Sequence, residues 1–195
     1  MGDGADPQRA AEVADAMLAL ARTGFLPPEQ RANADQDRPL PLWHGQTNSQ
    51  PSTVATMLRL LEVPVGAHVL DVGAGSGWTT ALLARLVGPQ GRVLGLELDP
   101  ELARWGATNL AAQGVPWASL EEAVPGALGR PVDGGWPRIL VSAAARSLPD
   151  ELVGQLADDD ARMVIPVRST LLVVVRSRRS TTVTSHGSYR FVPLR

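Results

Sequence analysis

The sequence predicts an α/β protein: a Rossmann-like mixed sheet, parallel through most of its width, with an antiparallel edge supplied by the C-terminal stretch. Three observations carry this prediction. Between residues 63 and 160, short apolar runs alternate with segments of helical periodicity, the pattern of a parallel sheet covered on both faces. A glycine-rich turn joins the first of those runs to the helix that follows it. After residue 160 the helical pattern stops and closely spaced strand-like runs take over, which suits an antiparallel edge.

Residues 1–7 read as a disordered start. Residues 8–195 read as one domain, divided into N-terminal helices and a loop (8–62), the α/β core (63–160) and C-terminal strands (161–195). From Pro7 to Arg22 the set Ala11, Val13, Ala14, Met17, Leu18, Leu20 and Ala21 recurs at helical spacing, with Asp6 and Pro7 where an N-cap and a first-turn proline belong. Pro27, Pro28, Pro39 and Pro41 forbid a continuous helix over residues 25–50, and a loop of that length in a small domain points to function. A helix over Pro51–Glu62 presents Val54, Met57, Leu58 and Leu61 on one face. The alternation then runs as strand His68–Val72, helix Thr79–Val87, strand Arg92–Leu98, helix Pro100–Gln113, a weak strand near Pro116–Leu120, strand Arg138–Ser142 and helix Asp150–Leu156. Arg162–Val167 and Thr170–Arg176 read as paired strands, and Tyr189–Val192 as a closing one.

Composition narrows the function. Hydrophobic residues make up 44% and charged residues 19% of the 195, enough for an ordinary core and too little charge for global disorder. A net charge of −2 supplies no field to draw in nucleic acid or an anionic membrane. Every basic residue is Arg. Without Lys there is no P-loop phosphate lysine and no Schiff base; without Cys there is no thiol nucleophile, disulfide or thiolate metal site. His44, His68 and His186 are scattered and show no metal-ligand spacing. The acidic N-terminus is unlike a signal peptide, and no apolar run approaches the ~18 residues of a membrane span. A cytoplasmic monomer is the expectation, and an Ala-rich, Lys-free composition points to a high-GC bacterial genome.

The strongest motif is Asp71-Val72-Gly73-Ala74-Gly75-Ser76-Gly77, set between an apolar strand and a helix. Glycines at alternate positions let the backbone turn sharply and let a ligand approach closely. The dinucleotide spacing G-x-G-x-x-G fails, because Trp78 stands where its third glycine belongs. The observed G-x-G-x-G, with an acid two residues upstream, suits the amino acid end of S-adenosyl-L-methionine: backbone N–H groups face its carboxylate and Asp71 faces its ammonium. Glu97 ends the second strand, where an acid accepts hydrogen bonds from two ribose hydroxyls. Ser49 and Gln50 precede a helix opened by Pro51. Helix capping and a ligand-facing role are both open to them.

The segments GFLPPEQR, DRPLPLWHGQTNSQPSTVATML, VLDVGAGSG, LGLELDPELA, ILVSAAA, RMVIPV and RFVPL occur in this order. Together they resemble the protein-L-isoaspartate O-methyltransferase family, from about Gln8 to Arg195. GQT-x-SQP and the closing VPL are specific to that family; the glycine loop is shared by most class I methyltransferases. The resemblance implies a seven-stranded class I S-adenosylmethionine-dependent sheet and methyl transfer to the α-carboxylate of an isoaspartyl residue in a protein or peptide. It implies that Gln46, Thr47, Asn48 and Ser49 lie over cofactor and substrate, with Ser49 the active-site serine and Thr47 beside it as a second donor. It also implies a cofactor-binding role for Leu98, next to Glu97, and for Gly126.

Several positions depart from the family. Asn48 replaces Ile, Trp43 replaces Gly, and Pro125 stands where an acid contacts the adenine, with Glu121 or Glu122 as possible substitutes. Trp136-Pro137, Asp158-Asp159-Asp160-Ala161 and Arg168 replace a Phe/Tyr-Asp, a Gly-Gly turn and a Gly. The family's first helix is not matched. These departures describe a divergent branch. They keep two other readings in view: a methyltransferase for a dedicated peptide in natural-product maturation, and a module that binds cofactor or peptide without turnover.

Overall fold

The computed structural model of the chain describes residues 7–195. The expected disordered start and the Asp6 cap lie outside the described residues, except for Pro7. Pro7 opens the first helix and so does not belong to that start.

Helix α1 (Pro7–Ala19) buries Val13 and Ala16, and Leu20 continues the same stripe. It is shorter than its periodicity predicted. Leu18, counted in the apolar set, is 85% exposed because it lies across the helix from that stripe. The chain then makes 3-10 turns at Arg22–Phe25 and Pro28–Asn33. The proline-rich loop contains a two-stranded ribbon, β1 (Leu40–Pro41) against β2 (Thr47–Asn48), with Leu40 opposite Asn48 and Pro41 opposite Thr47. Helix α2 (Pro51–Leu61) buries Val54, Met57, Leu58 and Leu61, the predicted face.

The core follows the predicted alternation: β3 (His68–Val72), α3 (Trp78–Val87), β4 (Arg92–Glu97), α4 (Pro100–Ala111), β5 (Ala118–Glu122), β6 (Arg138–Val141), α5 (Asp150–Val153) and β7 (Ala161–Val167). A meander completes it, β8 (Thr170–Ser177) and β9 (Ser180–Ser188). The seven strands of the main sheet are ordered β5-β4-β3-β6-β7-β8-β9. The first five are mutually parallel and the last two antiparallel, as the sequence predicted. Strands β3 and β6 are buried on both faces, hence their nearly unbroken apolar runs. One apolar core, including Val69, Leu82, Leu83, Val93 and Val164, packs under α1–α4; the other, including Leu70, Ile139, Val141, Met163 and Leu152, lies on the opposite face.

Two expectations fail at the C-terminal end. The closing strand is Ser180–Ser188, not Tyr189–Val192. Residues 189–195 instead run past the segment that follows β6, where the amides of Ala144 and Leu194 bond to the Val192 and Ala144 carbonyls. The other correction concerns α5, which stops at Val153 rather than Leu156. Arg178-Arg179 form the two-residue turn of the β8–β9 hairpin, and Asp158 and Asp159 sit in a surface turn, paired at 2.8 Å with Arg176 of β8 and with Arg178. Among the described residues, no helix is long and apolar enough to cross a membrane.

From β3 the chain steps outward through β4 to β5 and then crosses back to β6 on the other side of β3, so the strand order reverses at β3. The carboxyl ends of β3, β4 and β6 therefore open into a crevice, the place where open α/β sheets bind ligands.

Candidate active site

A cavity of about 660 Å³ occupies that crevice. It is bordered by Gln46–Ser49, by Gly73–Ser76, by Glu97, Leu98 and Asp99, by Val124 and Gly126–Gly129, and by residues after β6 and at 192–195. Of the site residues expected from sequence, Gln46, Thr47, Asn48, Ser49, Gly73, Gly75, Glu97, Leu98 and Gly126 line it together. Asp71 and Gly77 are not on its wall.

The glycine loop shows why three glycines stand there. Gly73, Gly75 and Gly77 all have positive φ, which L side chains adopt only with strain. Gly75 faces open space apart from one contact, so it leaves its side of the cavity clear. Gly77 serves packing instead: a Cβ there would stand 2.7 Å from the Gly106 carbonyl oxygen of α4. Gly106 reciprocates, since its own Cβ would stand 2.6 Å from the carbonyl oxygen of Gly75. Asn109, also on α4, donates to the Ser76 carbonyl at 3.0 Å. The loop is thus seated on α4 by two missing Cβ atoms and one amide.

Alternation along β3 turns Asp71 toward α3, away from the cavity wall. Its Oδ2 accepts from the Thr79 and Thr80 hydroxyls at 2.8 and 2.7 Å, which fastens the start of α3 to the strand. Its Oδ1 is buried without a partner among the described residues. Burial raises the Asp71 pKa to about 6 against the two hydroxyl bonds that lower it, and the nearby Glu97 charge adds a smaller upward push.

Glu97 is 7% exposed and already oriented. Its Oε2 accepts from the Gly75 amide at 2.8 Å and its Oε1 from the Asp99 amide at 3.0 Å. Two backbone donors leave lone pairs on both oxygens for further hydroxyls. Asp99 caps α4 through the amides of Glu101 and Leu102. Its carboxyl is held below the ordinary range, first by the Leu102 amide and then, against an opposing burial effect, by His44 and the Glu101 amide.

His44 and Trp43 form an unforeseen clasp beside this end. His44 Nδ1 lies 2.5 Å from Asp99 Oδ2, and the Trp43 ring packs on Trp105 with centroids 4.6 Å apart. Trp43, a departure from the family's Gly, therefore has a partner on α4. On the other side of the crevice, Glu121 pairs with Arg130 at 3.0 Å and is not on the cavity wall; neither is Glu122, nor Pro125. That wall is apolar and small: Leu98, Ala123, Val124, Gly126 and Leu128.

The Gln46–Ser49 segment owes its position to a residue the sequence did not single out. The Arg22 guanidinium is 6% exposed and donates to the carbonyls of Ala34, Gln36, Arg38, Asn48 and Ser49. It also donates from Nε to the Asn48 side chain at 2.7 Å and lies 5.6 Å over the Trp78 ring. Burial lowers its pKa to about 10, still well above neutrality. The capping role open to Ser49 and Gln50 is taken by Asp37, whose Oδ1 accepts from the Ser52 amide at 2.9 Å. No hydrogen bond from the Ser49 hydroxyl occurs among the described residues, and Ser49 borders the cavity.

Comparison with known proteins places this arrangement. The family model for protein-L-isoaspartate(D-aspartate) O-methyltransferase matches residues 7–195. A protein-L-isoaspartate O-methyltransferase of Aeropyrum pernix is 48% identical over 157 residues, 80% of this chain and 59% of that protein's length. The match thus spans under two thirds of that relative. One of Methanopyrus kandleri is 40% identical over 197 residues, covering 95% of this chain and 84% of its own. A structure from Plasmodium falciparum, described as a protein-L-isoaspartate O-methyltransferase in complex with S-adenosyl-L-homocysteine, superposes with a TM-score of 0.80. It covers 94% of this chain and 90% of its own at 23% identity, which speaks for the fold.

Proposed function

The chain belongs to the protein-L-isoaspartate(D-aspartate) O-methyltransferase family, and from that premise we propose that it transfers a methyl group from S-adenosyl-L-methionine to the α-carboxylate of isoaspartyl residues in proteins or peptides. The observation that carries this reading is one cavity bordered on one side by Gly73–Ser76 and Glu97 and on the other by Thr47–Ser49.

The residues present fit the cofactor. Gly75 leaves its side of the wall open, Glu97 offers lone pairs for two ribose hydroxyls, and Leu98, Val124 and Leu128 offer an apolar slot for a base. Asp71 lies off the cavity wall, and its buried Oδ1, without a partner among the described residues, is suited to an ammonium only through a bridging water. When bound, S-adenosyl-L-methionine supplies an electrophilic methyl group. The chain's own part is positional. The substrate carboxylate is ionised at neutral pH, so no general base is needed, and no side chain is assigned that role. Ser49 and Thr47 hydroxyls orient the carboxylate oxygen, and the loop held by Arg22 fixes those hydroxyls. Holding the reacting atoms in line and excluding water are the sources of rate.

Pro125 and the altered loops are the departures that favour a module without turnover; Pro125 itself lies off the cavity wall, which supports the catalytic reading. We place the protein as a monomer in a bacterial cytoplasm, acting on peptide rather than nucleic acid or membrane. Product analysis tests the assignment: an isoaspartyl peptide should gain one methyl ester that mild base removes. A base-stable methyl group on the peptide would contradict carboxyl transfer.

A further inference from the structure

Asn48 is buried at 4% exposure, yet it lies at the border of the cavity. Its side-chain amide makes two bonds in opposite directions. Oδ1 accepts from Arg22 Nε at 2.7 Å, and Nδ2 donates to the Ser76 hydroxyl at 3.0 Å. Ser76 belongs to the glycine loop and is itself 2% exposed, with its carbonyl fixed to α4 by Asn109. Arg22 belongs to the other side: it gathers the carbonyls of residues 34–49, Asn48 and Ser49 included. One buried amide therefore connects the loop that fits the cofactor to the segment that carries Thr47 and Ser49. An apolar residue of similar size would fill the space and break both bonds. It would also leave a buried charged donor, Arg22 Nε, without its acceptor.

We propose that Asn48 is a positioning residue that couples the two loops, so that a ligand seated on the glycine loop orders the Gln46–Ser49 segment through Ser76, Asn48 and Arg22. The coupling rests on the proposed cofactor site, but not on the identity of the substrate. Coupling of this kind requires two sites and a contiguous physical link between them. The link here is three buried side chains. A ligand that restrains Ser76 restrains Asn48, and Asn48 and Arg22 together restrain the peptide groups on both sides of Ser49, next to Thr47.

The test is hydrogen–deuterium exchange of the full chain, read over peptides spanning residues 40–52, with and without S-adenosyl-L-homocysteine. In the wild type, saturating ligand should slow exchange in this segment by about tenfold, in keeping with ordinary coupling strengths. Ser76→Ala removes one hydroxyl, and ligand should then slow exchange there less than about twofold while still binding by calorimetry. Asn48→Asp should keep most of the protection, because the Ser76 hydroxyl can donate to the carboxylate and Arg22 keeps its acceptor. Asn48→Ile should lose it. Unchanged protection in Ser76→Ala, with ligand bound, overturns the proposal; so does equal loss in Asn48→Asp and Asn48→Ile. Failure of the functional reading looks different: protection on ligand binding in a wild type that methylates no isoaspartyl peptide removes the substrate assignment and leaves the coupling standing.

Discussion

Replacing Gly106 by alanine sets two effects of opposite sign against each other. Gly106 lies inside α4, and an alanine in a helix interior is favoured over glycine by about 1 kcal/mol. Against this, the new Cβ would stand 2.6 Å from the Gly75 carbonyl oxygen, 2.9 Å from Leu120 Cδ1 and 3.2 Å from the Ser76 carbonyl carbon. Leu120 can rotate away at small cost. The Gly75 carbonyl cannot yield so easily, because the Gly75 amide is tied to Glu97 and the next residue's carbonyl is tied to Asn109. Overpacking of this kind costs about 1–3 kcal/mol, and contact with pinned backbone belongs in the upper half of that range. The clash wins, and Gly106→Ala should be less stable by roughly 1–2 kcal/mol, or ~2–8 °C in Tm for a chain of this size. Displacing Gly75 also moves the wall that fits the cofactor. Calorimetry should show S-adenosyl-L-homocysteine binding weakened by at least about tenfold, which is ~1.4 kcal/mol. A Gly106→Ala protein with raised Tm and unchanged affinity would refute the idea that the loop is seated on α4 by missing Cβ atoms.

Three further outcomes follow from the site. Glu97→Ala removes the acceptor of the Gly75 and Asp99 amides as well as the ribose bonds, so ligand affinity measured by calorimetry should fall by more than about tenfold, at roughly 1.5–3 kcal/mol per charge-assisted bond; an affinity within twofold of wild type would be inconsistent with it. Asp71 has a folded-state pKa of about 6, above the ordinary carboxyl value of 3.8, so the folded protein holds the extra proton and stability falls as pH rises through that window. Urea titrations should show Asp71→Asn gaining on the wild type by roughly 2 kcal/mol between pH 4 and pH 7, and a constant difference across that range counts against the burial of this charge. Ser49→Ala should lower turnover by about 10²-fold with stability held within about 0.5 kcal/mol, because Asp37 and not Ser49 caps α2. A loss of stability without loss of rate would reverse that assignment.

The sheet was legible where strands are buried on both faces. His68–Val72 and Arg138–Val141 read as apolar runs because helices cover both sides of them. Strand β9 was not legible: Ser180–Ser188 is an exposed edge with one large apolar residue, Val183, so no core-facing alternation marks it. Tyr189–Val192 looked more strand-like because its apolar side chains pack against the structure, but its backbone bonds to Ser169 and Ala144 outside the strands. Much the same division holds at the site. The glycine loop and Glu97 declare themselves because strand, turn and acid are close in sequence. Arg22 does not, because the carbonyls it gathers lie 12–27 residues downstream and carbonyls carry no sequence signal. Gly106 reads as an ordinary helix glycine until the loop that rests on it is located. The orientation of Asp71 was hidden for a third reason: spacing gives its distance from the turn, while the pleat decides which face it takes.

The claim on which the rest depends is that this cavity brings a methyl donor to an isoaspartyl carboxylate. The most direct measurement is transfer of labelled methyl from S-adenosyl-L-methionine to two synthetic peptides of identical sequence, one with isoaspartate and one with normal aspartate at the same position. The account predicts saturable labelling of the isoaspartyl peptide, with kcat/KM at least about 10²-fold above its twin, since one misplaced carboxylate loses the positioning that supplies the rate. Equal labelling of both peptides, or of neither while the cofactor binds, would contradict it.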